Sequence, residues 1–407
     1  MRTPTVLRKR GRRVAHRQLA RRIVTWVTMA CRAGAAYVCI LACLLTCLLF
    51  ATAHAAPPTF ATVTPGHALT FPSDMGAHPT YRTEWWYATG WLNTPDGAPL
   101  GFQITFFRSA TTHDAADPSA FAPTQLIIAH AALSDPALGR GVHDQKIARQ
   151  GFDLAYAKPG NTDLKLGGWT MLRAADGRYS VTAKASGFAL NLTLAPTQPP
   201  MLEGDQGYSQ KGPSADEASY YYSEPQLSVS GTVVRPGRAA SEPSTSTPVH
   251  GVAWLDHEWS STLLSPDAVG WDWLGANLAD GSALMAFKIR GADGKSVWAH
   301  AALREAHGKL VTFDPAQVDF VPLRTWRSPR TDTPYPISET VKTGPLTWQL
   351  DPLLDDQELD SRDSTGTAYW EGAVTIKRDG NAIGHGYLEL TGYAKPLTLQ
   401  NPAKAAR

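Results

Sequence analysis

Beyond Cys47 the chain has no cysteine; all four (Cys31, Cys39, Cys43 and Cys47) fall within its first 50 residues. Everything downstream is therefore closed to a disulfide framework, a thiol nucleophile and a thiolate-held metal. Acidic side chains are missing from residues 1–55, where nine Arg and one Lys stand unopposed. The formal charge of +2 over 407 residues hides two opposite balances. Ten of the 38 basic groups belong to that first segment, which leaves 28 against 36 acids beyond it, a net of −8. A mildly acidic chain carries no electrostatic footprint for nucleic acid. After Phe50 no run is long and apolar enough to span a bilayer. Helical periodicity is scarce as well, with Ala299–Ala306 the best stretch. His-Glu-x-x-His, a glycine-rich phosphate loop and a close histidine cluster are all absent, so neither a metal nor a nucleotide cofactor is expected.

What the first segment does contain is a basic head over 2–22, the 16-residue run Ala35–Phe50 and then Ala53-His54-Ala55. A basic head, an apolar middle and a small-x-small site describe a secretory signal peptide cut after Ala55. The rival reading is an uncleaved anchor, since a stretch near 20 residues spans a bilayer with tilt. Both predict an exported protein, periplasmic or secreted, tethered to the inner membrane in the second case.

The remaining chain is long for one domain, and two are expected. Its Gly and Pro punctuate short runs rich in Trp, Tyr, Val, Thr and Phe, a β-sheet signature. An internal echo sets the organisation. Trp86–Leu92, Asp96-Gly97 and Gly101–Arg108 read as strand, turn and strand, and Trp273–Leu278, Asp280-Gly281 and Leu284–Arg290 repeat the plan. Tyr220–Ser223 with Gly251–Trp259 closes the first half; Tyr369–Gly372 with Gly384–Tyr393 closes the second. The reading is all-β: two barrel or sandwich domains in tandem, 57–262 and 263–400. A Ser/Thr/Pro-rich flexible insertion over 236–248 sits inside the first closing hairpin.

The segments His78–Tyr87, Gly101–Arg108, Ala129–Asp135, Leu202–Asp205 and Tyr208–Gly212 carry a resemblance, continued by Trp254–Trp259, Gly270–Trp273, Asp356–Leu359, Tyr369–Gly372 and Leu390–Tyr393. Together they resemble secreted lipocalin-like proteins of the AttH type, related to the carotenoid 1,2-hydratases and often described as predicted secreted hydrolases. The resemblance implies two lipocalin-like β-domains, export and, for some members, association with transporter components. For the carotenoid branch alone it implies hydratase chemistry on long isoprenoids. A hydratase of that kind is expected to hold a carboxylate near Ala283–Phe287, where none stands.

Strand alternation sorts the candidate chemistry. Leu255, His257 and Trp259 face one way; Trp254, Asp256 and Glu258 face the other. His257 reads either as a general acid beside an apolar ligand or as a satisfied core histidine. Asp256 and Glu258 read as an acid pair or as a solvated barrel exterior. Asp272 could pair with His257 or simply hold its hairpin. Glu84 is either a buried acid under an aromatic wall or the partner of Arg82. Ser209 and Lys211, two apart, have the spacing of a Ser–Lys dyad but no nucleophile elbow. His385, Tyr387, Glu389 and Thr391 read as a polar outer stripe.

The other informative feature is the aromatic surplus. Because neighbours on a strand face opposite ways, Trp85 and Trp86 cannot fill one core. One of them must meet a second apolar environment, an interdomain contact or a ligand pocket. The expected pocket wall is Trp85, Trp86, Tyr87, Tyr221, Trp259, Trp271 and Trp273. The expected partner is an extended apolar small molecule, an isoprenoid or lipid. Two functions are carried forward: acid–base hydratase or hydrolase chemistry on that ligand, or a non-catalytic periplasmic lipid carrier serving an ABC-type transporter.

Overall fold

The structure is a computed structural model that describes residues 59–397, except 115, 238–241 and 263, and eight helical positions between 22 and 32. Apart from those eight positions, the signal segment expected over 1–55 lies outside the described residues. No helix among the described residues is long and apolar enough to cross a membrane. The chain divides into two compact units, Met1–Pro57 and Pro58–Arg407, and the second contains the strands.

Those strands form two antiparallel sheets, of 13 and 10 strands. The first draws on Thr83–Thr262 and the second on Ala268–Leu390. Both are laid out alike. The opening hairpin, Thr83–Asn93 with Pro99–Ala110, lies beside the closing hairpin, Ala218–Arg235 with Thr245–Thr262, because the first strand pairs with the last. In the second sheet Ala268–Leu278 with Ala283–Gly291 lies beside Ala368–Arg378 with Asn381–Leu390 in the same way. Pairing first strand to last curls a sheet back on itself and removes edges. In the first sheet the open seam falls between Arg140–Arg149 and Ala155–Ala157, the two ends of the strand order. The architecture is two lipocalin-like β-domains in tandem.

The Asp-Gly pairs turn both opening hairpins: Gly97 and Gly281 adopt φ of 82° and 88°, a region open to glycine at no steric cost. Two expectations need correction. The insertion placed over 236–248 is shorter, since Thr245 already pairs with Arg235 and Pro248 with Thr232. Ala299–Ala306 is not helical; Ser296–Arg304 is a strand of the second sheet. Its alternation decides the matter, with Ala299, Ala301 and Leu303 entering the second core and Ala302 the opposite face.

Three apolar clusters follow from the same alternation. From Thr83–Asn93, Trp86, Ala88 and Leu92 enter the first barrel beside Phe102, Ile104 and Leu255. The second barrel is filled by residues such as Leu274, Trp348 and Trp370. Tyr87 and Trp91 point out of the first barrel and meet Trp273, Met285 and Phe287 pointing out of the second. Each sheet therefore has two apolar faces, one inside its own barrel and one against the neighbouring domain. Fully burying an apolar side chain of this size is worth about 1.5–3 kcal/mol. Close approach matters at Gly275, where a Cβ would stand 2.5 Å from Trp273 and 3.0 Å from Trp254.

Candidate functional site

Where the two outward faces meet they enclose a cavity of about 380 Å³. The ladder register builds its walls from two equivalent rows. In the first domain Phe107 lies opposite Trp85, Trp85 opposite Glu258, and Glu258 opposite Tyr221. In the second, Phe287 lies opposite Trp273, Trp273 opposite Glu389, and Glu389 opposite Glu371. All eight residues line the cavity. The duplication read in the sequence thus sets two aromatic–Trp–Glu rows around one space. They differ at the last position, Tyr221 in one and Glu371 in the other.

That difference creates an acid pair. Glu371 and Glu389 are cross-strand partners, a position that sets Cβ atoms roughly 4.5–5.5 Å apart. Glu371 is buried; the Tyr87 and Tyr369 hydroxyls stand close enough to favour its carboxylate, but neither closes a hydrogen bond of good geometry. Burial pushes its carboxyl up to about 8. Glu389 is also driven well above the ordinary carboxylate range, by burial first and then by the charge of Glu371. Two acids in such a place cannot both ionise at neutral pH, so the pair holds a proton in an apolar cavity.

The first domain's acids are tied down. Asp256 accepts from Tyr221 at 2.8 Å and, on its other oxygen, from Ser223 and Trp254, each at 2.6 Å. Burial still lifts its carboxyl to about 7. Ser223 also lies 2.9 Å from Glu203. A hydroxyl has one proton, so with Ser223 donating to Asp256 it is Glu203 that donates to Ser223. Glu203 is accordingly raised well above its usual value, mainly by burial and next by Asp256. Lys211 forms an ion pair with Glu258 at 3.0 Å and lies over the rings of Phe287 and Tyr221. Its ammonium donates to Ser209 at 2.6 Å, so the two-residue spacing does bring Ser209 and Lys211 together. Lys211 lines the cavity whereas Ser209 does not, which leaves the hydroxyl behind the wall.

His130, from the first domain, bridges to the second. Ser364 donates to Gln145, so it accepts from His130 Nε2 at 2.9 Å, and His130 Nδ1 accepts from Tyr369 at 2.8 Å. Burial lowers His130 to about 3 and keeps the ring neutral.

Of the ligand wall expected from sequence, Trp85, Tyr87, Tyr221, Trp271 and Trp273 line the cavity, as does Asp256. Trp86, Trp259, His257 and Glu84 instead face into the first barrel. There Trp86 stacks on His257 at 4.4 Å and Trp259 on His78 at 3.8 Å. Glu84 is ion-paired with Arg108 at 2.7 Å, not with Arg82, because Arg108 stands directly opposite it on the hairpin. His78 and His257 approach the other Glu84 oxygen at 2.7 and 2.9 Å. Burial pushes the Glu84 carboxyl up, but bonds from His257 and His78 and the charge of Arg108 outweigh it and hold it well below its usual value. The ring of His257 goes the other way, lowered by burial to about 4 despite Glu84. A neutral imidazole bonded to Glu84 and Tyr222 is a satisfied core histidine. His78, Glu84 and His257 bring three metal-ligand atoms within 4.8 Å of one another, a histidine cluster that spacing did not announce because barrel closure assembles it. Those atoms already bond each other and Arg108.

Asp272 repeats this plan in the second barrel. It pairs with Arg290 of its own hairpin at 2.8 Å and accepts from Tyr393 at 2.9 Å, so of the two readings it holds its hairpin and does not pair with His257. The polar outer stripe is also corrected. His385 stacks on Trp91 of the first domain at 3.9 Å, Tyr387 is buried, and Glu389 and Thr391 line the cavity. Sequence reasoning passes over Glu371, Tyr369 and His130 as site residues and places Glu389 in the outer stripe. Alternation around Trp370, whose ring fills the second barrel, assigns Tyr369 and Glu371 to the cavity face. The duplication assigns Glu389 the place of Glu258.

The AttH-like family model matches residues 62–393. A crystal structure of a Nitrosomonas europaea protein assigned to AttH is 60% identical, covers 82% of this chain and 100% of its own, and superposes with a TM-score of 0.76. Kievitone hydratase from Nectria haematococca is 14% identical, covers 83% of this chain and 98% of its own with a TM-score of 0.61, and shares the fold. No curated protein sequence matches. With a family model spanning both barrels and a relative this close over its full length, the chain belongs to the AttH-like family.

Proposed function

We propose that the interdomain cavity binds an extended apolar molecule, an isoprenoid or lipid, and that the Glu371–Glu389 pair performs acid–base chemistry on it. What supports this reading is a cross-strand carboxyl pair among aromatic rings, both acids pushed up by burial and Glu371 without a well-formed hydrogen bond among the described residues. A carboxyl kept protonated at neutral pH by its apolar site is available as a general acid toward a bound ligand. In a hydration, the pair gives its proton to a double-bond carbon. The resulting tertiary cation lies against the faces of Trp85, Trp271 and Trp273. Water then adds to the cation and returns a proton to the carboxylate left behind, so the pair ends as it began. His257, in the first barrel, takes no part. The basic head and apolar run of residues 1–55 support export of the protein.

The test is Glu371→Gln. It keeps size and hydrogen bonding but carries no titratable proton, so turnover of an apolar alkene or ester should fall by about 10²–10⁴-fold, the usual worth of a general acid. Ligand affinity should stay near the wild-type value. Full binding with no turnover in the wild type as well would instead establish a carrier serving a transporter.

A further inference from the structure

The first domain's aromatic row does not stop at the cavity. Phe107 lies opposite Ile128 on Gln125–Asp135, and Ile128 lies opposite Ile147 on the sheet's edge strand. Residues directly opposite share a face, so Trp85, Phe107, Ile128 and Ile147 form one apolar line from the cavity wall to the edge. Ile147 is 46% exposed there.

Two residues on, Arg149 lies over the rings of Phe121 and Phe152, 5.0 and 5.3 Å from their centroids. The rings are 5.0 Å apart, and both they and Leu154 are more than half exposed. A soluble surface does not display two phenylalanines and a leucine together without a use for them. The backbone reinforces the point. Phe152 and Asp153 sit at φ of 56° and 53°, a region costly to a bulky side chain, and the turn is tied by Gly151 to Ala155. The chain holds Phe152 outward against a conformational cost. Residues 146–165 carry Lys146, Arg149, Lys158 and Lys165 against only Asp153 and Asp163, the reverse of the −8 beyond residue 55.

We propose that this rim docks on an anionic phospholipid bilayer, and that an apolar ligand passes from the lipid along the Ile147–Ile128–Phe107–Trp85 line into the cavity. Exposed aromatic tips with Arg149 over both rings suit the interface between headgroup and acyl chain, and four basic groups against two acids over 146–165, with Lys158 and Lys165 paired to those acids, leave Lys146 and Arg149 to complement an anionic surface. The ligand's route rests on the apolar-ligand reading; the docking does not.

The test is amide hydrogen exchange of the full chain with phosphatidylethanolamine/phosphatidylglycerol vesicles and with phosphatidylcholine vesicles. The anionic vesicles should slow exchange over 119–124 and 149–155, and phosphatidylcholine should not. Phe121→Ser/Phe152→Ser, both exposed, should keep the wild-type Tm and lose that protection. Protection confined to residues before 59, or protection of the rim that tracks protein concentration without vesicles, overturns the proposal, the latter in favour of self-association. Mass spectrometry of extracted small molecules reads the cavity separately, so a sugar or peptide there would sink the ligand reading and leave the vesicle result standing.

Discussion

At the scale of single residues, chemistry is divided by which side of a strand a group occupies. Glu84 and Glu371 are both buried carboxyls, yet Glu84 is paired with Arg108 and held below its usual value while Glu371 has no cationic partner and is pushed above it by burial. Glu84→Gln would leave Arg108 buried without its counter-charge, a loss of about 3–5 kcal/mol for a broken buried pair. Chemical denaturation should show that loss, with the ligand affinity of the surviving folded fraction unchanged. Glu371 has the opposite signature. Its folded pKa of about 8 lies above the unfolded value of 4.5, so its contribution is fully present below about 4.5 and is lost as pH rises through about 8. Glu371→Gln escapes that loss. The Tm of the variant relative to wild type should therefore be least different near pH 4.5, widen to pH 8 and then level off. At about 1.4 kcal/mol per pKa unit the gap amounts to a few kcal/mol. His257 adds an acid limb: its folded pKa of about 4 is below 6.5, so stability falls as pH drops from 6.5 towards 4, and His257→Asn should flatten that limb.

At the scale of elements, the hairpins were legible and their two-sidedness only partly so. Asp96-Gly97 and Asp280-Gly281 announced turns, and alternation sorted Trp85 from Trp86 and Asp256 from His257 before any coordinates. Alternation gives two faces but not which of them is the barrel interior. Both faces of the closing hairpins are apolar or aromatic, so His257 could be placed in the pocket and Glu389 on the exterior, the reverse of what the register requires. Pairings across the chain, Glu84 with His257 or His130 with Tyr369, carry no local signal, and only barrel closure and domain contact produce them. The packing of the hairpins on each other has its own test. Gly275→Ala sets a Cβ against Trp273 and Trp254, and overpacking of this kind costs about 1–3 kcal/mol. Its near-ultraviolet circular dichroism should change with the displaced rings, and ligand affinity should fall with it.

At the scale of the whole molecule, duplication explains why there is a site at all. Two curled sheets with the same order set matching aromatic–Trp–Glu rows against each other, and one substitution between the copies, Tyr221 against Glu371, turns a symmetric contact into an acid pair. The absences of the sequence fit the same picture: past Cys47 no thiol stands beside the cavity carboxylates, and against the −8 charge the stretch 146–165 stands out with four basic groups to two acids. The proposed function requires that the space between the domains hold an apolar molecule. Extraction of the purified full chain, with small molecules identified by mass spectrometry, tests it most directly when paired with Ile289→Trp, which fills the cavity from its second wall. The wild type should yield a long-chain apolar species and the filled variant should not. A sugar or peptide, or the same species at equal yield from both proteins, would contradict it.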